Sequence, residues 1–240
     1  MIIGGGCGIY MIMRWKIESD LAAENLADDT PLESAADDRS LDSPAQDSSG
    51  SVTSVMTEIN FAQLKSVNSS TIGWIRVNNT RIDYPIVHSD DNEYYLKHSF
   101  NHSLNSSGAI FLDYRNPTDF SGKHSIIYGH GRVEGTMFGT LQNALSFNWQ
   151  NDSTNHIIDI ITETKTLHYR VFSAYRISNT NDYLRTLFRN HADFVEFANM
   201  LKSRSVYNFG TEVSENDQIL TLSTCIGKND RMVLHAKRID

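Results

Sequence analysis

From residue 72 onward, short apolar runs alternate with turn-forming residues. The runs are 72–77 (IGWIRV), 82–87 (IDYPIV), 108–113 (GAIFLD), 124–130 (HSIIYGH), 156–162 (HIIDIIT), 167–177 (LHYRVFSAYRI), 218–225 and 231–239. They are rich in β-branched and aromatic residues and are bounded by Gly, Asn, Asp and Ser, which predicts eight strands. That number of short strands implies a mainly β protein built on a closed or nearly closed barrel. Two helical patterns interrupt them. One is brief, over 137–145; the other covers 191–203, where Phe194, Phe197, Ala198 and Leu201 recur at helical spacing and predict a face buried against the barrel.

The N-terminal part reads differently. Residues 1–13 (MIIGGGCGIYMIM) are apolar and uncharged, and Arg14, Trp15 and Lys16 follow them. Thirteen residues are too few to span a bilayer, which takes about 20, so 1–16 are expected to be a partial membrane anchor. Residues 17–53 are rich in Asp, Ser and Ala and almost free of aromatics. They cannot bury enough apolar area to offset their ordering entropy, which predicts a disordered acidic linker. From about residue 54 the pattern changes again: Val55, Ile59, Ala62 and Leu64 predict an amphipathic helix that ends near Asn68 and opens a catalytic domain over 54–240.

The formal charge of −8 belongs to the linker. Residues 17–58 carry eleven acidic and one basic side chain, residues 1–16 add two basic ones, and the remaining 182 residues balance 18 against 18. A domain-wide basic excess is absent, so no nucleic-acid partner is expected. Of two cysteines, Cys7 lies in the apolar N-terminal run and Cys225 at the end of a strand pattern, so Cys225 is read as a free thiol. The bland alternative is a buried cysteine acting as a small hydrophobe.

If 226–230 form a hairpin loop, Cys225 and Arg231 face one another across an antiparallel pair. A permanently charged guanidinium beside a thiol can lower the cost of a thiolate or hold the oxyanion formed when it attacks a carbonyl. An amide substrate also requires an acid to protonate the departing amine, and histidine suits that task. Nine histidines compete. His130, in Tyr128-Gly129-His130-Gly131, closes an apolar strand between glycines. His235 falls inside the last strand, while His88, His98, His102 and His191 sit in polar or helical contexts where solvated or capping roles suffice. Spacing alone leaves the choice open. With no Cys pair beside a close His pair, the chain shows no complete metal motif, so neither metal nor cofactor is expected. Ser223 shares the strand face of Cys225 by the period of two, and with Thr224 it is a candidate substrate contact or an ordinary polar strand residue.

These residues together resemble the sortases, the cysteine transpeptidases of Gram-positive cell surfaces. The likeness rests on 221–225 (TLSTC), Arg231 at the head of the next strand and 128–130 (YGH). Class B members are matched further by 73–75 (GWI), 82–87, Asp91-Asn92 with 94–96 (YYL), 108–116 (GAIFLDYRN) and 136–138 (TMF). The resemblance covers about residues 54–239 and implies a sortase-type eight-stranded barrel, with an N-terminal helical segment and a long helix before the cysteine strand. It assigns catalysis to His130, Cys225 and Arg231. It implies cleavage of a C-terminal sorting signal of secreted proteins after Thr, a thioester on Cys225, and transfer to an amine of a peptidoglycan precursor. It also implies a single-pass cell-membrane protein with the catalytic domain on the extracellular face. Two features depart from the class B pattern: the 226–230 loop is short, and Gly131 replaces an Asn, which leaves substrate preference open. Rival readings are a pilin-polymerising enzyme with a protein lysine as acceptor, a plain cysteine hydrolase, and a catalytically idle binding module.

Overall fold

The computed structural model describes residues 59–178, 180–226 (backbone only for 225 and 226) and 230–240. The expected anchor over 1–16 with Cys7, the expected linker over 17–53 and the predicted start of the first helix lie outside the described residues. The fold is the expected mainly β one. Eight strands form a closed barrel in the order β1-β2-β3-β4-β7-β8-β6-β5, with β1 (Thr71–Val77) pairing β5 (Ile157–Ile161) to close the ring. The others are β2 (Asp83–Val87), β3 (Ile110–Leu112), β4 (His124–Tyr128), β6 (Thr166–Ser178), β7 (Ile219–Ile226) and β8 (Asp230–Arg238). Most neighbours are antiparallel, but β2 with β3 and β4 with β7 are parallel, so long crossovers connect the two members of each pair.

Among the described residues four α-helices decorate the barrel: α1 (Phe61–Val67), α2 (Tyr94–Lys97), α3 (Phe147–Asn151) and α4 (His191–Ser203). In α1, the Asn60 side chain accepts the Gln63 amide N–H at 3.0 Å, so the described helix starts after Ile59 and not across it. Phe61 and Leu64 form its buried face. The pattern over 137–145 becomes a 3₁₀ helix, Gly139–Leu145.

The helix α4 has the predicted bounds and is capped by the Asn190 side chain. Its apolar stripe, Phe194, Phe197 and Leu201, packs with Phe172, Tyr175, Ile219 and Val233 from the outer face of β6, β7 and β8. That contact explains why β6 alternates buried and exposed residues at its start and is then buried on both faces from Val171 to Tyr175. A bulge between Val171 and Ser173 accompanies the change.

The single-pass membrane placement expected from the sequence is corrected here. Among the described residues no helix is long and apolar enough to cross a membrane. The longest of them, α4, has 13 residues. It spans about 20 Å against a hydrocarbon core of about 30 Å, and its apolar face is already used by the barrel.

Candidate functional site

The site is set by strand register. In the antiparallel pair of β7 and β8, Cys225 lies directly opposite Arg231, with Ser223 opposite Val233 and Thr221 opposite His235. The pairing continues to Ile226 with Asp230, so each strand runs one residue further than the expected 226–230 loop left it; residues 227–229 lie outside the described residues. On the other side of β7 runs the parallel strand β4, with Tyr128 beside Ser223. The Gly129 amide still donates to the Ser223 carbonyl, at 3.3 Å. His130, two residues beyond Tyr128, is therefore level with Cys225, two residues beyond Ser223. Three adjacent chain segments thus deliver His130, Cys225 and Arg231 to one end of the barrel.

Packing explains the glycine before the histidine. A Cβ on Gly129 would meet Ile110 Cδ1 at 2.4 Å and the Phe138 ring at 2.9 Å, so only glycine lets the chain leave β4 against β3. His130 itself is half-buried, and its Nε2 lies 2.9 Å from the Leu96 carbonyl. Arg231 is half-buried, and its Nη1 donates to the Asp230 carbonyl at 3.4 Å. Among the described residues no carboxylate pairs with it, in contrast to Arg115, Arg185, Arg204 and Arg238. A guanidinium in that state keeps most of its donors for a carbonyl or an anion.

Ser223 is buried two residue pairs inward, and its hydroxyl lies 2.9 Å from that of Tyr183, in the segment between β6 and α4. Thr224 has the opposite parity. It pairs with Met232 and turns to the other face, where it is buried with no hydrogen-bond partner for Oγ1 among the described residues.

Two other histidines lie on these strands but are sealed. A chain of hydrogen bonds runs from Tyr175 Oη to His235 Nε2 (2.9 Å), His235 Nδ1 to Thr221 Oγ1 (2.7 Å), Thr221 Oγ1 to His124 Nε2 (2.6 Å) and His124 Nδ1 to the Arg185 carbonyl (2.5 Å). Because a carbonyl only accepts, His124 Nδ1 is the donor, and every proton in the chain is then fixed: Tyr175 gives to His235, His235 to Thr221, and Thr221 to His124. Burial pushes His124 down to about 4 and holds His235 well below the usual histidine range. Both rings are neutral, fully buried and saturated, so they serve the fold.

Sequence reasoning passed over a buried carboxylate beside the site. Asp113, fully enclosed, accepts from Arg115 Nε (2.8 Å) and Nη2 (2.7 Å), from the Tyr128 hydroxyl (2.9 Å) and from Asn92 Nδ2 (3.1 Å). Burial alone would raise its pKa, but these donors outweigh that and hold it below the usual carboxylate value. Burial, and then the Asp113 charge, raise Tyr128. Arg115 Nη2 also donates to the Leu184 carbonyl at 3.1 Å, so this cluster ties the end of β4 to the segment that carries Tyr183. The run 108–116 carried the only sequence signal, as part of a resemblance and without a role for Asp113.

The comparisons agree with one another. The chain matches the family model of the Sortase domain over residues 75–239. It is 32% identical to Sortase B of Listeria monocytogenes over 245 residues, which is 97% of this chain and 93% of that protein. Its fold is similar to that of sortase B from B. anthracis in complex with AAEK1 (TM-score 0.70, 32% identity, 75% of this chain and 84% of that one). The same figures hold for a Staphylococcus aureus sortase B-substrate complex.

Proposed function

We propose that this chain, which belongs to the sortase family of cysteine transpeptidases and has class B relatives, uses Cys225, His130 and Arg231 to exchange one amide bond for another. The substrate is a C-terminal sorting signal of a secreted protein, cleaved after Thr; a solved relative is a substrate complex. The Cys225 thiolate attacks the scissile carbonyl, and the guanidinium of Arg231 binds the carbonyl oxygen as it becomes an oxyanion. The tetrahedral intermediate collapses, the amine leaves with a proton from the His130 imidazolium, and a thioester remains on Cys225. An incoming amine then gives its proton to the now neutral His130 and attacks the thioester, which expels the thiolate. Atoms and protons balance over the cycle, and the thioester conserves the bond energy, so no nucleotide is consumed.

The observation that carries this reading is the register that brings positions 130, 225 and 231 to one end of three neighbouring segments. Ser223, at the same face, is the proposed polar contact for the substrate, positioned by Tyr183. Thr224 is assigned to the same strand end through its backbone, since its hydroxyl faces away. For the acceptor we propose an amine of a peptidoglycan precursor.

The test is product analysis of a sorting-signal peptide with a precursor amine, with a lysine-bearing protein and with water alone. Transfer to the precursor amine at a rate above hydrolysis supports the reading. Transfer confined to protein lysine would favour a pilin-type polymerase, and cleavage unaffected by any amine would leave a hydrolase.

A further inference from the structure

A four-residue helix offers almost nothing to its own carbonyls, because the last four C=O groups of any helix lack intrahelical partners. In α2 all four are claimed from outside the helix. The Tyr94 carbonyl accepts from His98 Nδ1 at 2.8 Å, that of Tyr95 from the Ala109 amide at 2.9 Å, and that of Lys97 from the Asn105 amide at 2.9 Å. The fourth, that of Leu96, lies 2.9 Å from His130 Nε2. A carbonyl oxygen cannot donate, so Nε2 must carry the hydrogen. In the neutral ring the lone pair is therefore on Nδ1, and Nδ1 is the nitrogen that gains and loses a proton while the Leu96 bond holds.

The support beneath that carbonyl is equally specific. Gly108 has φ +61°, and a Cβ there would lie 2.3 Å from the Tyr95 carbonyl oxygen, 3.1 Å from that of Leu96 and 3.2 Å from His130 Cδ2. One position thus contacts the backbone of α2 and the imidazole together, and only glycine fits. Tyr95 is buried beside it, and its hydroxyl accepts from Asn68 Nδ2 at 2.9 Å. Asn68 is also the C-cap of α1. The chain of contact runs from α1 through Tyr95 and Leu96 to the histidine.

We infer that α2 is the orienting element of His130, with the Leu96 carbonyl fixing the Nε2–H tautomer and Gly108 the positioning residue that allows ring and carbonyl to meet. The inference rests on the proposed acid and base role of His130. In the two half-reactions the Nδ1 proton goes to the leaving amine and is regained from the incoming one, while the Nε2 proton stays on the Leu96 oxygen throughout. A ring free to rotate would present the wrong nitrogen for part of the time.

The experiment is a two-bond ¹H–¹⁵N correlation on the full-length chain labelled in its histidines, with His130 assigned by comparison with His130→Ala. The expected result at neutral pH is a pyrrole-type Nε2 and a pyridine-type Nδ1 for the neutral ring. A dominant Nδ1–H tautomer would overturn the inference without any variant having to fold. Kinetics give the second arm: Gly108→Ala, which crowds both ring and carbonyl, should lower kcat by about 10²-fold at a nearly unchanged KM and broaden the tautomer signal. Tyr95→Phe, which keeps the ring and loses only the Asn68 bond, should show a smaller fall in kcat with the same sparing of KM. Parent-like kcat in both variants would also reject the positioning role. Parent-like turnover in His130→Ala would instead remove the catalytic reading on which the inference depends, a failure separable from the tautomer result.

Discussion

Asp113→Asn separates the buried cluster beside the site from the proposed catalytic groups. The wild-type carboxylate is fully enclosed and accepts from Nε and Nη2 of the Arg115 guanidinium, from the Arg115 amide, from Tyr128 and from Asn92. Asparagine keeps one oxygen and turns an NH₂ toward donors, which leaves the guanidinium without its counter-charge. Removing one partner of a buried pair costs about 3–5 kcal/mol. The Arg115 side chain is 37% exposed, so water takes up part of its charge, and the expected cost falls to about 2–3 kcal/mol. For a domain of this size that lowers Tm by about 4–12 °C. The pH dependence has a definite sign. The folded-state pKa of Asp113 lies below its unfolded value, so its contribution is complete above about pH 5 and is lost as pH falls through the folded pKa. Thermal melts of parent and variant should therefore differ by a constant interval from pH 7 to about pH 5 and converge only below about pH 4. A variant melting within about 1 °C of the parent at pH 7 would refute the view that this cluster fastens the end of β4.

Two further outcomes follow from the same geometry. Arg231→Lys keeps the charge but loses the planar fork, so peptide cleavage should fall by about 10²-fold or more; activity within a few-fold of the parent would mean that positive potential alone suffices. A fragment beginning at Ser54 should retain full activity and a sharp melting transition, because the described barrel starts with the Asn60 cap of α1; loss of cooperative unfolding would place a structural element upstream.

The strands were legible in the sequence because their β-branched runs have length and boundaries, and the pairing of Cys225 with Arg231 follows from hairpin closure once those boundaries are known. The run at 108–113 is shorter in the fold, since Gly108 takes a left-handed φ and Asp113 leaves the strand to collect its donors. The helix α2 could not be read: four residues, Tyr94–Lys97, contain barely one turn and show no period, and the carbonyls that matter are satisfied by residues as distant as His130. The Asp113 cluster joins residues 92, 113, 115, 128 and 184, and only the folded chain brings these together. The histidines were ambiguous for the same reason, because the burial of His124 and His235 becomes visible only when α4 and the preceding segment cover the outer face of β4, β7 and β8.

In the proposed mechanism Cys225 carries the acyl group between two amines. Intact-mass spectrometry of the chain, quenched during turnover of a sorting-signal peptide with no amine added, addresses it most directly. The expected result is a mass increase equal to the acyl portion ending in Thr, mapped to Cys225 by proteolysis, discharged by an added amine and absent from Cys225→Ala. An adduct at any other residue, or turnover undiminished in Cys225→Ala, would contradict it.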